Sequence, residues 1–151
     1  MATYVAGKEF RRLQLGSEVV SNSYSLVTET HTLFNIAGGD VLITSLYIRV
    51  GTTMTVANTL AVQAHPTTGD TFTLVTATDL GTTDTTAGGV VGLTKGTTAA
   101  NAFLRGGGIV LDAVATTGKI ELVTTGTSPD GAITVVITYV PMTDGATVTA
   151  A

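Results

Sequence analysis

From Thr30 onward the chain is a succession of short runs in which apolar and polar residues alternate, each closed off by Gly, Asp or Pro. A two-residue period places successive side chains on opposite faces of a strand, and many such runs predict an antiparallel sandwich or barrel. His31 to Ile36 is the first run, ended by Ala37-Gly38-Gly39-Asp40, where glycine permits the positive φ of a tight turn. Asp40 to Val50 is the longest. Its pattern sets Leu42, Leu46, Ile48 and Val50 on one face and Val41, Ile43 and Tyr47 on the other. A strand apolar on both faces is expected in the middle of a sheet or against a partner.

Asn58 to His65 puts Leu60, Val62 and Ala64 on one side, and His65 to Asp70 turns the chain into Thr71 to Ala77, whose Phe72 and Leu74 are expected to face inward. These two runs predict a hairpin. Thr78 to Ala102 is dominated by Gly, Thr and Ala and is expected to be a long loop holding one short strand, Val90 to Thr94. Ile109 to Ala115 and Ile120 to Thr124, divided by Thr117-Gly118, predict a second hairpin, with Glu121 opposite Ile120 and Leu122. Ser128-Pro129-Asp130-Gly131 suits a type I turn, and Ile133 to Val140 follows with Ile133, Val135, Ile137 and Tyr139 on one face. Pro141 stops pairing because it lacks an amide hydrogen, and the last ten residues read as a polar tail.

Residues 1–25 show neither alternation nor helical spacing and are expected to form an extended N-terminal arm, leaving 26–151 as the β-sandwich domain. With seven or eight strands and no amphipathic helix, the fold class is all-β: an antiparallel β-sandwich, jelly-roll-like. A β-branched excess supports this, because Val, Ile and Thr fit a pleated surface better than a helical one.

Composition narrows the function. Only 12% of the 151 residues are charged, a balance that favours protein contact over chemistry. The net charge of −4 argues against nucleic acid, whose phosphates need a surplus of Lys and Arg. Mean hydropathy is +0.42, yet no apolar run approaches the roughly 18 to 20 residues of a membrane-spanning helix, and no membrane partner is expected. The first twelve residues carry positive charge with no apolar stretch behind them, so no secretory signal is expected and synthesis in a cytoplasm is.

Candidate chemistry is sparse. The chain has no cysteine, which removes thiolate metal sites and thiol catalysis. His31 and His65 stand at no metal-ligand spacing, and Asp70, Asp79 and Asp84 lack the pattern of a calcium loop and are expected to cap turns. Ser17, Ser21, Ser23 and Ser25 sit outside any nucleophile motif. In Gly92 to Thr97 the order is Lys then Gly, the reverse of a phosphate loop, and Gly106-Gly107-Gly108 runs into a strand instead of a helix. No catalytic residue, metal or cofactor is therefore expected. Charge is unevenly placed: Lys8, Arg11 and Arg12 cluster near the start, and the sequence beyond them is net −6. These three are the candidate contact residues, suited to pair by arginine forks with an acidic partner surface.

The stretch Thr32-Leu33-Phe34-Asn35-Ile36-Ala37-Gly38-Gly39-Asp40-Val41-Leu42-Ile43-Thr44 and the ending Tyr139-Val140-Pro141-Met142-Thr143-Asp144-Gly145-Ala146 resemble small structural proteins of tailed bacteriophages. The whole looks like the capsid decoration, or cement, proteins. That resemblance implies a non-enzymatic β-sandwich on the exterior of the virion, a homotrimer that stabilises an icosahedral shell by bridging major capsid protein subunits. The alternative is a phage fibre or spike module that binds host glycans, but no Trp and only four Tyr and four Phe offer little aromatic platform.

Overall fold

The computed structural model describes residues 18–80, 85–95, 101–105, 108 and 110–151. Eleven strands run through them: β1 Glu18–Ser25, β2 Thr30–Ala37, β3 Val41–Thr52, β4 Thr59–Pro66, β5 Phe72–Asp79, β6 Val90–Lys95, β7 Asn101–Arg105, β8 Val110–Ala115, β9 Gly118–Thr125, β10 Ala132–Pro141 and β11 Thr147–Ala150. The protein is all-β, with two antiparallel sheets packed as a sandwich. One sheet runs β1-β10-β3-β8 and the other β5-β4-β9-β2-β11. Without the β6-β7 hairpin and β11, the two four-stranded sheets have the strand order of a jelly roll. The hairpin bridges the sheets on one side, β6 pairing with β3 and β7 meeting β5 in parallel at Val75 and Asn101.

The opposite side is closed by side chains and the C-terminus. In β2 the register slips between Thr32 and Phe34, which bulges Leu33 and lets Leu33 and Phe34 both go into the core. The bulge turns the Leu33 carbonyl outward to accept from the Asn22 amide at 2.8 Å and from the Ala151 backbone at 3.1 Å. Asn22 lies on β1, so this one oxygen ties the first sheet to the edge of the second.

A second slip decides the faces of β3. Against β10, Ser45 opposes Thr138 and Ile43 opposes Tyr139, leaving Thr44 as the extra residue. Its hydroxyl donates to the Thr138 carbonyl at 3.2 Å. Because a one-residue slip exchanges the two faces, Val41 and Ile43 point inward before it and Leu46, Ile48 and Val50 after it, all fully buried or nearly so. The strand apolar on both faces is thus a strand that changes face, and Leu42 and Tyr47 are only half-buried. Its central place holds: β10 covers one edge, with β8 and β6 end to end along the other.

The remaining core comes from alternating positions that the sequence marks: Leu60, Val62 and Ala64 of β4, Ile120 and Leu122 of β9, and the inward row of β10. Phe72 differs, standing 39% exposed at the start of β5 while Leu74 is buried.

Four other expectations need correction. Residues 18–25 belong to the sandwich and not to an arm, because Glu18–Ser25 is a strand paired with β10 along its whole length; residues 1–17 lie outside the described residues. The loop of residues 78–102 gives way to a second strand, β7, anchored by the buried Phe103. The C-terminal tail contains β11, which adds to β2 and buries Val148. Finally β8 and β9 are no hairpin. β8 pairs with β3 and β9 with β4 and β2, so Thr117-Gly118 carries the chain from one sheet to the other. Gly118 serves that crossing because a Cβ there would run into the His65 and Pro66 backbone.

Ile48→Ala tests the face assignment, removing a fully buried side chain at a cost of about 2–5 kcal/mol in urea unfolding. Val114→Ser, on the outward face, changes stability by only about 0.5 kcal/mol or less. Comparable losses in the two variants would contradict the assignment.

Candidate interaction surface

The outward face of β1-β10-β3-β8 follows from the register. Leu42 lies between Val140 on β10 and Val114 on β8, so three aliphatic side chains form a row across the sheet. Further along, Thr138 is flanked by Val19 and Ser45, and Ser45 by Val110; then Val136 stands between Ser21 and Tyr47. Val19, Val110 and Val114 are 63%, 66% and 56% exposed. Aliphatic side chains this open, set side by side with hydroxyls, make a patch of the kind that marks contact surfaces. The charges on these strands' exposed positions are Arg49 at one end of β3 and Asp112 on β8.

β8 is also an edge. Among the described residues its pairing partner is β3, which leaves its other side open to a further strand. Asp112 counters that opening, with a φ of 52° that breaks the flat run of the edge and a charge that disfavours pairing.

The other sheet presents a different face. Glu121 opposes Gln63 on β4 and Thr32 on β2, and its side chain is only 10% exposed although it points away from the core. One carboxylate oxygen accepts from the Gln63 amide at 2.8 Å and lies 3.3 Å from Nδ1 of His65. Beside it His65, Pro66, Thr67, Gly118 and Lys119 line a shallow cavity of about 230 Å³. The alternation in β9 places Glu121 outward, but the cluster itself needs the pairing with β4; the polar alternation of Gln63 and His65 is its signal in the sequence.

The two histidines are not brought together. His31 stacks on Tyr24 with ring centroids 3.9 Å apart and lies 3.4 Å from Glu29, toward the first sheet, whereas His65 stands on the outer side of the second. The Tyr24 hydroxyl donates to Glu29 at 2.7 Å. Burial, then that bond to a carboxylate, push its pKa up to about 12. Asp70 and Asp79 fall at opposite ends of β5 and share no loop, while Asp84 lies outside the described residues. Among the described residues no group of three His, Cys, Asp or Glu could hold a metal ion. Ser21, Ser23 and Ser25 alternate along β1, with Ser23 bonded to Thr134 at 2.8 Å. Lys8, Arg11, Arg12 and Ser17 lie outside the described residues.

Several acids stand in the connections between strands. Asp130 caps the β3-β4 connection, accepting from the backbone amides of Thr55 and Val56 at 2.8 and 3.0 Å and from the Thr55 hydroxyl. These bonds to the ionised form hold its carboxyl below the usual aspartate range.

No family model matches the chain, and no curated protein matches it. A solved structure of infectious bursal disease virus, Gx strain, is matched over 89% of this chain and 34% of that one, at 14% identity and a TM-score of 0.23. The chain thus spans about a third of the matched chain's length, and the protein stands as a β-sandwich with weak similarity to a viral structure.

Asp130→Asn lowers the urea midpoint at neutral pH. Since the wild-type group stabilises only while ionised, the gap between the two proteins closes as pH falls through its depressed pKa. Equal midpoints at neutral pH would show that the cap contributes nothing.

Proposed function

We propose that this protein is a non-enzymatic virion structural protein. It decorates the exterior of an icosahedral phage capsid as a homotrimer and stabilises the shell by bridging major capsid protein subunits. The observation that carries the reading is the outward face of β1-β10-β3-β8: an ordered sheet whose open positions hold Val, Thr, Ser and Tyr with few charges. A surface of this composition gains by being covered with protein and offers few groups to a soluble substrate.

The mechanism is linkage. A protein that binds the assembled lattice and not its separated subunits shifts the equilibrium toward the lattice by mass action, in proportion to its occupancy. Aliphatic and hydroxyl contacts from the sheet supply affinity. Lys8, Arg11 and Arg12 pair with acidic groups on the shell and govern approach and registration more than strength. A threefold ring closes heterologous contacts on themselves, so three subunits present three such faces to the lattice at once.

Co-sedimentation with phage heads is the test. The protein pellets with expanded heads and remains in the supernatant with precursor shells or free capsid subunits. Arg11→Glu/Arg12→Glu weakens that binding, most of all at low salt, where the charges are least screened. Absence of binding to expanded heads, together with retention on a glycan array, would replace this reading with the host-glycan one.

A further inference from the structure

We propose that Asp144 is a site of spontaneous backbone isomerisation, its side-chain carboxyl and the Gly145 amide closing to a succinimide that reopens as isoaspartate, while the fold holds Asp130 back from the same reaction. The site is independent of any role on a shell.

The reaction needs no partner but water. The Gly145 nitrogen attacks Cγ of Asp144; a C–N bond forms and the Cγ–OH bond breaks, the hydroxyl leaving with the amide hydrogen as water. Water then returns to the ring. Opening at Cγ restores aspartate, whereas opening at the backbone carbonyl frees that carbonyl as a carboxyl and leaves the chain running through Cγ, one methylene longer. No electrons are gained or lost. Glycine is the residue that best allows this, because no Cβ shields its nitrogen.

The sequence holds two such sites in one context, Asp130-Gly131-Ala132 and Asp144-Gly145-Ala146. Asp144 and Gly145 are the exposed central residues of a turn closed by the Ala146 amide donating to the Thr143 carbonyl at 3.0 Å, and the Gly145 φ of 83° suits a type II turn. Among the described residues no hydrogen bond holds the Asp144 carboxylate or the Gly145 amide, and the space a Gly145 Cβ would take is open. The peptide between them therefore rotates toward the type I arrangement, bringing the nitrogen past Cγ while the closing bond is kept.

Asp130 has the opposite surroundings. Its carboxylate accepts from the Thr55 and Val56 amides and from the Thr55 hydroxyl. These bonds aim it at the β3-β4 connection and favour the ionised form, whose oxygen is a poor leaving group. Gly131 is packed so closely that a Cβ would stand 2.9 Å from both the Thr52 carbonyl oxygen and the Met54 side chain, which leaves its peptide little room to turn.

The turn at Asp144 also seats β11. The Thr143 amide donates to the Asp40 carbonyl at 3.2 Å, and the Gly145 carbonyl lies where a Cβ on Gly38 would come within 2.7 Å of it. Ala146 and Val148 are buried just beyond. A longer backbone at residue 144 spoils that fit and loosens β11 from β2.

The full-length protein is aged at mildly acidic pH, folded and in urea, and isoaspartate at both positions is quantified by peptide mapping with electron-transfer fragmentation. In urea the two sites react at comparable rates, as their shared context dictates. In the folded protein Asp130 is slower than Asp144 by at least about tenfold, since its hydrogen bonds to a charged group must be given up first. Asp144→Glu, whose longer side chain closes the ring poorly, forms no such product at residue 144, and amide exchange in β11 is faster in the aged parent than in this variant aged alike. Absence of isoaspartate at 144 in the folded protein would overturn the proposal. Equal folded rates, or an equal bias in urea, would overturn the protection of Asp130, and matching exchange in the two aged proteins would overturn the link to β11.

Discussion

The pairing of β3 is the constraint from which the rest of the structure follows. Among the described residues it is the longest strand, it is bonded along both edges, and it pairs with β10, β8 and β6. Its bulge at Thr44 lets one continuous strand supply inward side chains in two phases, Val41 and Ile43 and then Leu46, Ile48 and Val50. Without that slip, one of the two groups would be turned to solvent. The bulge therefore joins two halves of the core that a regular strand could fill only in part.

The surface is the complement of this arrangement. Once the inward positions are filled, a chain so poor in charge has mostly Thr, Ser and Val left for its outward ones. Several of the acids that remain stand in the connections between strands. Asp130 in the β9-β10 connection bonds the amides that follow β3, and Asp40 stands at the turn into β3. The outward face of β1-β10-β3-β8 thus becomes poor in charge and somewhat apolar, whereas several loop ends carry acids. Contact between proteins suits the first kind of surface, and attraction of a basic segment suits the second.

How much of this the sequence discloses depends on whether a strand is regular. β4, β9 and β10 carry an apolar residue at every second position along their inward rows and can be read directly from that spacing. β1 escapes notice because its outward positions are Val19, Ser21 and Ser23 and its inward ones include Asn22, whose amide is needed for the Leu33 carbonyl. β7 and β11 are short and owe their place to partners far away in sequence. The face change in β3 and the crossing at Gly118 depend on register, which local alternation does not encode. The cluster around Glu121 likewise arises only when β4 and β9 are set side by side. The suggested contact residues, Lys8, Arg11 and Arg12, fall outside the described residues, and the sequence alone speaks for them.

At the centre of this account is the claim that a sheet face, and not a loop end or a polar cleft, is what the protein offers to its partners. Hydroxyl-radical footprinting of the protein free and bound to expanded phage heads measures this most directly. The account predicts that Val19, Tyr47 and Val110 become protected on binding while Val27, Val56 and Met142 in the loops keep their reactivity. Protection confined to the loops, or to the neighbourhood of His65 and Glu121, would contradict it.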